Sequence, residues 1–198
     1  MHEIFKNHQI IAVDCDEVLS ETIAFGLKNA SGKVPKLFSS IQEISDFYFV
    51  NMSDEIERSD VVEFFFSTFE KDRENLDMPR VDGALEILKI LKKAGKELYI
   101  ITARHSSLKE YTQKYIQKHF PNIFTEIYFA DHFTENHRKK SEICKEIGAT
   151  LLIDDSIENA LDCAENDIQA ILLKKPWNKN HSETHKNILK IDNWKDLK

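Results

Sequence analysis

Asp14 and Asp16 stand at the end of the apolar run Ile10-Ile11-Ala12-Val13, separated by Cys15 and followed by Glu17-Val18-Leu19. Side chains alternate along a strand, so two carboxylates two positions apart leave a strand tip on the same side. Such a pair suits phosphoryl transfer. One carboxylate attacks phosphorus, the other gives a proton to the leaving oxygen, and a divalent cation offsets the charge they share with the phosphate. A lone Asp-x-Asp also fits a turn after a buried strand, so the reading depends on what else reaches the same place.

Three later segments bring matching groups. Glu97-Leu98-Tyr99-Ile100-Ile101 ends in Thr102-Ala103-Arg104, a hydroxyl and a guanidinium suited to phosphate oxygens. A helical pattern from Arg138 to Gly148 begins with Lys139 and Lys140, positive charge where a helix start ordinarily favours an anion; a lysine there has a use if it faces a phosphate and a carboxylate. Thr150-Leu151-Leu152-Ile153 ends in Asp154-Asp155-Ser156, a strand delivering an acidic pair. Each piece alone has a plainer explanation. Asp155 and Glu158 have capping-box spacing, Thr102 is a β-former, Arg104 a surface residue, and the lysines a solvated charge run. Independent accidents at four successive elements are much less common than any one of them.

In the order Asp-x-Asp, Thr, Lys, Asp-Asp, the chain resembles the haloacid dehalogenase superfamily of phosphohydrolases from Gln9 to Leu173. The resemblance implies Asp14 as nucleophile and Asp16 as general acid and base, and Asp at the second position points to phosphate esters. It also implies Thr102, Ala103, Arg104 and Lys140 around the phosphate, with Lys139 as the alternative motif lysine. Mg²⁺ would lie among Asp14, the backbone carbonyl of Asp16, and Asp155, with Asp154 as a further ligand or a supporting partner. The implied fold is α/β: a Rossmann-like, five-stranded parallel sheet in the order 5-4-1-2-3.

Within the superfamily the chain is similar to the small 5'(3')-deoxyribonucleotidases. The likeness rests on Asp14 to Leu19, the stretch from Leu151 to Asn159, a helical cap and the Pro176-Trp177-Asn178 tail. It departs from them at Glu17, where glycine is usual, placing a charge near the entrance, and at Thr102-Ala103-Arg104, where some animal members carry Thr-Ser-Pro. The expected activity is a magnesium-dependent phosphomonoesterase using an aspartyl phosphate, with nucleoside monophosphates as substrates. The alternative is a sugar or hydroxy-acid phosphate, and homodimers occur among the relatives. A receiver-type signalling module has its acidic pair, phosphorylated Asp, Thr and Lys in a different order, and a silent binding protein has no need of the complete set.

The elements that position these residues divide the chain. Residues 1–19 and 79–198 read as the core, and 20–78 as a helical cap inserted after the first motif, rich in phenylalanine: eight of the chain's 13 fall there. Ile56 to Phe69 has helical spacing, so Phe64, Phe65, Phe66 and Phe69 suit a cap core, while Phe47 and Phe49 are candidates to face a nucleobase. Val81 to Gly95 is an amphipathic helix leading to the second strand. Ser107 and Glu110 have capping-box spacing for the next helix. Glu126 to Ala130 and Gln169 to Leu173 complete the strands, and Pro176-Trp177-Asn178 is a loop.

The chain's 198 residues and 41% hydrophobic content suffice for one buried domain plus a modest insertion. A net charge of −7 disfavours a nucleic-acid polymer as partner, whereas a small phosphorylated metabolite needs only local cations. No segment has membrane-spanning length, and a cytoplasmic protein without membrane partners is expected. Cys15, Cys144 and Cys163 are scattered and odd in number, as for reduced thiols. His181 and His185 are four apart but lack the His-Glu-x-x-His order of a zinc site, and His105, His132 and His137 carry no assigned role.

Overall fold

The computed structural model describes residues 2–131, 134–181 and 185–198. Strands β1 (Ile10–Val13), β2 (Glu97–Thr102), β3 (Ile127–Phe129), β4 (Leu151–Asp154), β5 (Gln169–Leu173) and β6 (Ile188–Ile191) form one sheet. Every pairing is parallel, and the order is β3-β2-β1-β4-β5-β6. This corrects the expected five-stranded sheet: a sixth strand pairs with the outer edge of β5. A four-residue edge strand containing Lys190 carries a weak pattern, because edge strands are short and charged to discourage further pairing.

β1, β4 and β5 are short apolar runs because both faces of a parallel sheet are covered. Ile11, Val13, Ile153 and Ile171 join a core with α4 (Ala84–Lys93) and α5 (Lys109–His119), while Ala12, Ile101 and Leu152 pack with α6 (Lys140–Ile147) and α7 (Ile157–Glu165). Helix α4 buries Ala84, Ile87, Leu88 and Leu91 on one stripe. Helix α6 ends at Gly148, whose φ of 73° suits glycine because it has no Cβ to clash.

Between β1 and α4 the chain forms α1 (Thr22–Asn29), α2 (Val34–Leu37) and α3 (Arg58–Asp72). The segments that leave and return are paired: Glu21 N donates to Pro79 O at 2.9 Å, Val81 N donates to Leu19 O at 2.9 Å, and Ser20 bridges Arg80 in antiparallel fashion. These helices have an apolar cluster of their own, with Ile23, Val34, Ile44, Phe49, Ile56 and Phe64. Helices α1 and α3 approach closely at Gly26, where a Cβ would lie 2.5 Å from Thr68 Oγ1. The insertion is thus rooted immediately after the Asp14 and Asp16 turn. Order β2-β1-β4 puts a topological switch point at β1, where a crevice opens beyond the strand ends.

Candidate active site

Asp14 follows β1, Thr102 ends β2, Asp154 ends β4 and Lys140 begins α6, so the four sequence motifs meet at that crevice. Lys140 Nζ lies 2.6 Å from Asp14 Oδ1 and 2.7 Å from Asp154 Oδ2. Lys139 Nζ instead points outward to Asp162 at 2.7 Å. The Asp14 contact is ionic but off hydrogen-bonding angle: Asp14 Oδ1 is the one buried side-chain oxygen among the described residues without a hydrogen-bond partner. Burial, opposed by Lys140 but reinforced by Asp154 and Asp16, pushes the Asp14 carboxyl up to about 7.

Asp14, Asp154 and Asp155 each offer an oxygen within 4.8 Å of the others, the one such acidic, histidine or cysteine group among the described residues. Burial and the charges of Asp154 and Asp14 raise Asp155 well above the usual carboxylate range. Three buried carboxylates against one ammonium, with an orphaned oxygen among them, fit a hard divalent cation that prefers oxygen ligands. Asp154 is fixed by Ser156 N at 2.8 Å and Asn159 Nδ2 at 3.2 Å on Oδ1, besides Lys140 on Oδ2. Asp155 does not cap α7. Ser156 does, its Oγ accepting from Asn159 N at 3.2 Å, which removes the plainer explanation of Asp155.

Asp16 has the opposite surroundings. Arg104 grips it with two prongs, Nε to Oδ2 at 3.0 Å and Nη2 to Oδ1 at 2.8 Å, and Thr22 Oγ1 donates to Oδ1 at 2.5 Å. Burial works against ionisation, but the Arg104 charge and these bonds outweigh it and hold Asp16 below its ordinary range. Its carboxylate is thereby occupied, leaving the backbone carbonyl as the atom Asp16 can offer to a metal. Arg104, expected to hold phosphate oxygens, is placed differently. Its side chain is 1% exposed, its remaining donors reach Thr112 Oγ1 at 3.1 Å and Ser20 Oγ at 3.3 Å, and the guanidinium lies 4.4 Å from the centre of the Phe69 ring. A cation surrounded by a carboxylate, two hydroxyls and an aromatic face braces Asp16 and does not reach out for substrate.

Thr102 is buried, with Oγ1 accepting from Arg104 N at 3.2 Å, which leaves its hydroxyl proton to donate elsewhere. Ala103 and Lys140 line a small pocket with Phe47, Tyr48, His137 and Ser156. Phe47 is therefore at the site mouth. Phe49 is not: it is 2% exposed, in the insertion's own core against Phe64 and Phe65, so the expectation that it faces a base is corrected. A ring packed among rings satisfies the cap's need for a core and leaves no face for a ligand.

Glu17 is also buried, at 3% exposure, and brings no charge to the entrance. Its φ of 60° lies in the left-handed region that favours glycine, and its side chain folds back to accept from Ile23 N at 2.6 Å and to pair with Lys175 at 3.4 Å. Cys15 faces the core, its thiol pushed up to about 12 by burial, opposed by the Arg104 charge and reinforced by Asp16 and Asp14. Ser107 and Glu110 form no capping box, since α5 starts at Lys109 and Glu110 pairs with Lys114. His105 caps the short turn before α5 by accepting from Ser107 N, and His185 Nδ1 accepts from Asn187 N. The segment between His181 and His185, and His132, lie outside the described residues.

Sequence reasoning passed over Thr22 and Lys175, which carry no periodic or motif signal, and took Asn159 only as the end of the Leu151 stretch. Trp177 was visible only as part of the Pro-Trp-Asn tail. Its indole N–H donates to Asp155 Oδ2 at 3.0 Å.

Compared with known proteins, residues 8–198 match the family described as 5' nucleotidase, deoxy (pyrimidine), cytosolic type C protein. The chain belongs to this family. It is a phosphoric monoester hydrolase of the haloacid dehalogenase superfamily. No curated protein matches it. Among solved structures, CbbY from Rhodobacter sphaeroides in complex with xylulose-(1,5)bisphosphate is similar at 14% identity over 96% of each chain, TM-score 0.62. A family IA, variant 3 hydrolase from Entamoeba histolytica is 18% identical over 96% of this chain and 95% of its own, TM-score 0.59. The hydrolase YfnB from Bacillus subtilis, bound to magnesium, is 14% identical over 97% of each chain, TM-score 0.61. At these identities the likeness is one of fold. No described helix is long and apolar enough to cross a membrane.

Proposed function

We propose that the protein hydrolyses nucleoside monophosphates, with Mg²⁺ and through an aspartyl phosphate on Asp14. The observation that carries the chemistry is the contrast between two carboxylates on one strand tip, Asp14 grouped with Asp154 and Asp155 around Lys140 and Asp16 clamped by Arg104. Asp14 attacks phosphorus while Asp16, positioned by Arg104 and Thr22, exchanges a proton with the leaving oxygen and then with water; ionised in the free protein, it takes up that proton from solvent when the anionic substrate binds. Thr102, the Ala103 turn and Lys140 hold the phosphate oxygens. Asp14, Asp154, Asp155 and the Asp16 carbonyl hold the metal, whose chemistry is to neutralise charge on the phosphoryl group. YfnB's bound magnesium supports that choice of ion.

The nucleotide reading rests on the family and on Phe47 and Tyr48 beside the phosphate-binding turn. The excursion from β1 to α4 acts as the cap, residues 20–78, over core segments 1–19 and 79–198. A base stacked on an aromatic ring gains roughly 1–3 kcal/mol. The test is a phosphate-release screen over nucleoside 5' and 3' monophosphates, sugar phosphates and hydroxy-acid phosphates. Nucleotides should be preferred, and Phe47→Ala should raise KM for them about tenfold while sparing a small aryl phosphate, as expected from loss of about 1.4 kcal/mol. Equal turnover of sugar phosphates by the unmodified enzyme would sink the nucleotide reading and leave the phosphatase chemistry standing.

A further inference from the structure

Trp177 belongs to two structures at once. Its ring is 5% exposed and packs in the apolar cluster of the inserted helices, with Ile23, Val34, Ile44, Phe49 and Phe64. Its N–H reaches Asp155 at 3.0 Å, in the acidic group at the sheet's end. The root of the ring is fixed by Asn178, whose Nδ2 donates to Asp155 O at 2.6 Å and to Leu173 O at 2.9 Å while its Oδ1 accepts from Lys175 N at 3.0 Å. The loop after β5 therefore holds both the backbone and the side chain of Asp155, and the ring's apolar face is held by the insertion.

We propose that Trp177 is a positioning residue that ties the packing of the helical insertion to the Asp155 carboxylate, and so sets the protein's affinity for a divalent cation. The inference rests on the metal reading given above. The physical reason for an indole is its neutrality. A cationic donor on Asp155 would compete with the metal for the same carboxylate, whereas a neutral N–H orients one oxygen and leaves the group's negative charge for the ion. Partners that orient a metal ligand from behind typically contribute about 10–100-fold in metal affinity. The apolar body adds a second effect. A ring packed in the same apolar cluster as Ile44, Phe49 and Phe64 keeps its N–H aimed only while that cluster stays in place, so the arrangement of the insertion would be felt at the metal.

The test uses the full chain and MgCl₂ alone, followed by calorimetry and by tryptophan emission. The chain has two tryptophans, and Trp194 donates to Val18 O in the sheet core, away from the acidic group. Mg²⁺ should change the emission of the unmodified protein, and Trp177→Phe should abolish that change and weaken Mg²⁺ binding about 10–100-fold. β-(3-Benzothienyl)alanine at position 177 keeps the bicyclic ring and lacks the N–H, so it should weaken Mg²⁺ binding to a similar degree with a thermal midpoint close to the original. Ile44→Ala, within the insertion, should weaken Mg²⁺ severalfold. Wild-type affinity in the benzothienyl variant would reduce Trp177 to a packing residue and overturn the proposal, as would unchanged affinity in Ile44→Ala. If Trp177→Phe does not fold, the benzothienyl variant decides. Failure of the unmodified protein to bind Mg²⁺ at all would instead remove the metal reading, and this inference with it.

Discussion

Two sides of the same strand tip differ sharply. On the β4 side, Asp14, Asp154 and Asp155 are buried with one lysine among them, and an Asp14 oxygen has no hydrogen bond. On the β2 side, Asp16 alone has a guanidinium and a hydroxyl, and Arg104 in turn has Thr112, Ser20 and the Phe69 ring. One side is short of positive charge and the other is saturated. Environments that push neighbouring carboxyls in opposite directions are how one fold assigns different tasks to identical groups. On the proposed function, the short side would stabilise an incoming cation and a phosphoryl group, and the saturated side is built before substrate arrives.

The largest effect should separate the two carboxylates themselves. Asp14→Asn should fold and lose turnover by at least about a thousandfold, with no hydroxylamine-sensitive phosphoenzyme, whereas Asp16→Asn should slow turnover yet still trap phosphate on the protein. Rapid-quench labelling with ³²P substrate checks both, and normal turnover in Asp14→Asn would erase the contrast. Next, Lys140→Met deletes the one cation of the short side. Leaving buried charge unpaired should cost roughly 3–5 kcal/mol of stability in chelator, partly restored by Mg²⁺, as read by denaturant unfolding. On the saturated side, Arg104→Lys keeps the charge and loses the fork. It should lower kcat about tenfold or more with KM little changed, because an ammonium cannot hold both Asp16 oxygens. A rise in KM alone would return Arg104 to phosphate binding.

The smallest effect lies between the sides, at Glu17. Glu17→Ala keeps the left-handed backbone and loses the bonds to Ile23 N and Lys175, while Glu17→Gly loses the same bonds and relieves the strain. Glycine should therefore be more stable than alanine by roughly 1 kcal/mol, measured by thermal or urea unfolding. Equal stabilities would mean that the positive φ costs nothing here.

Much of this was legible in the sequence because strand tips concentrate it. Asp14, Thr102, Lys140 and Asp154 each adjoin an apolar run or open a helix, so local pattern put each at an element's end and the family resemblance brought them to one site. The partners were not legible. Thr22 and Trp177 act across 6 and 22 residues of chain on Asp16 and Asp155, through contacts that exist only once the insertion and the β5 loop have folded. Arg104 was misread for a related reason: a guanidinium at that strand tip has two partners open to it, a phosphate or Asp16, and only packing against Phe69 and Thr112 turns it toward Asp16. Phe47 and Phe49 have similar neighbours in sequence, yet one lines the pocket and the other fills a core, because a short irregular segment has no period that declares which side faces in. Strand β6 was missed because four residues with a lysine resemble a loop.

The bridge between Ser20 and Arg80 means that the whole excursion begins and ends at adjacent points in space. A detour with a neck that narrow is modular. In evolution or in the laboratory, it could be exchanged for another, or shortened to a hairpin, without altering the strand order beneath it. What constrains the exchange is Trp177, since a core stripped of its insertion would present a bare indole to water; any replacement must bring an apolar face to cover it. If the insertion selects the substrate, as proposed, selectivity would move with it as a cassette, provided that the cassette carries its half of that one contact.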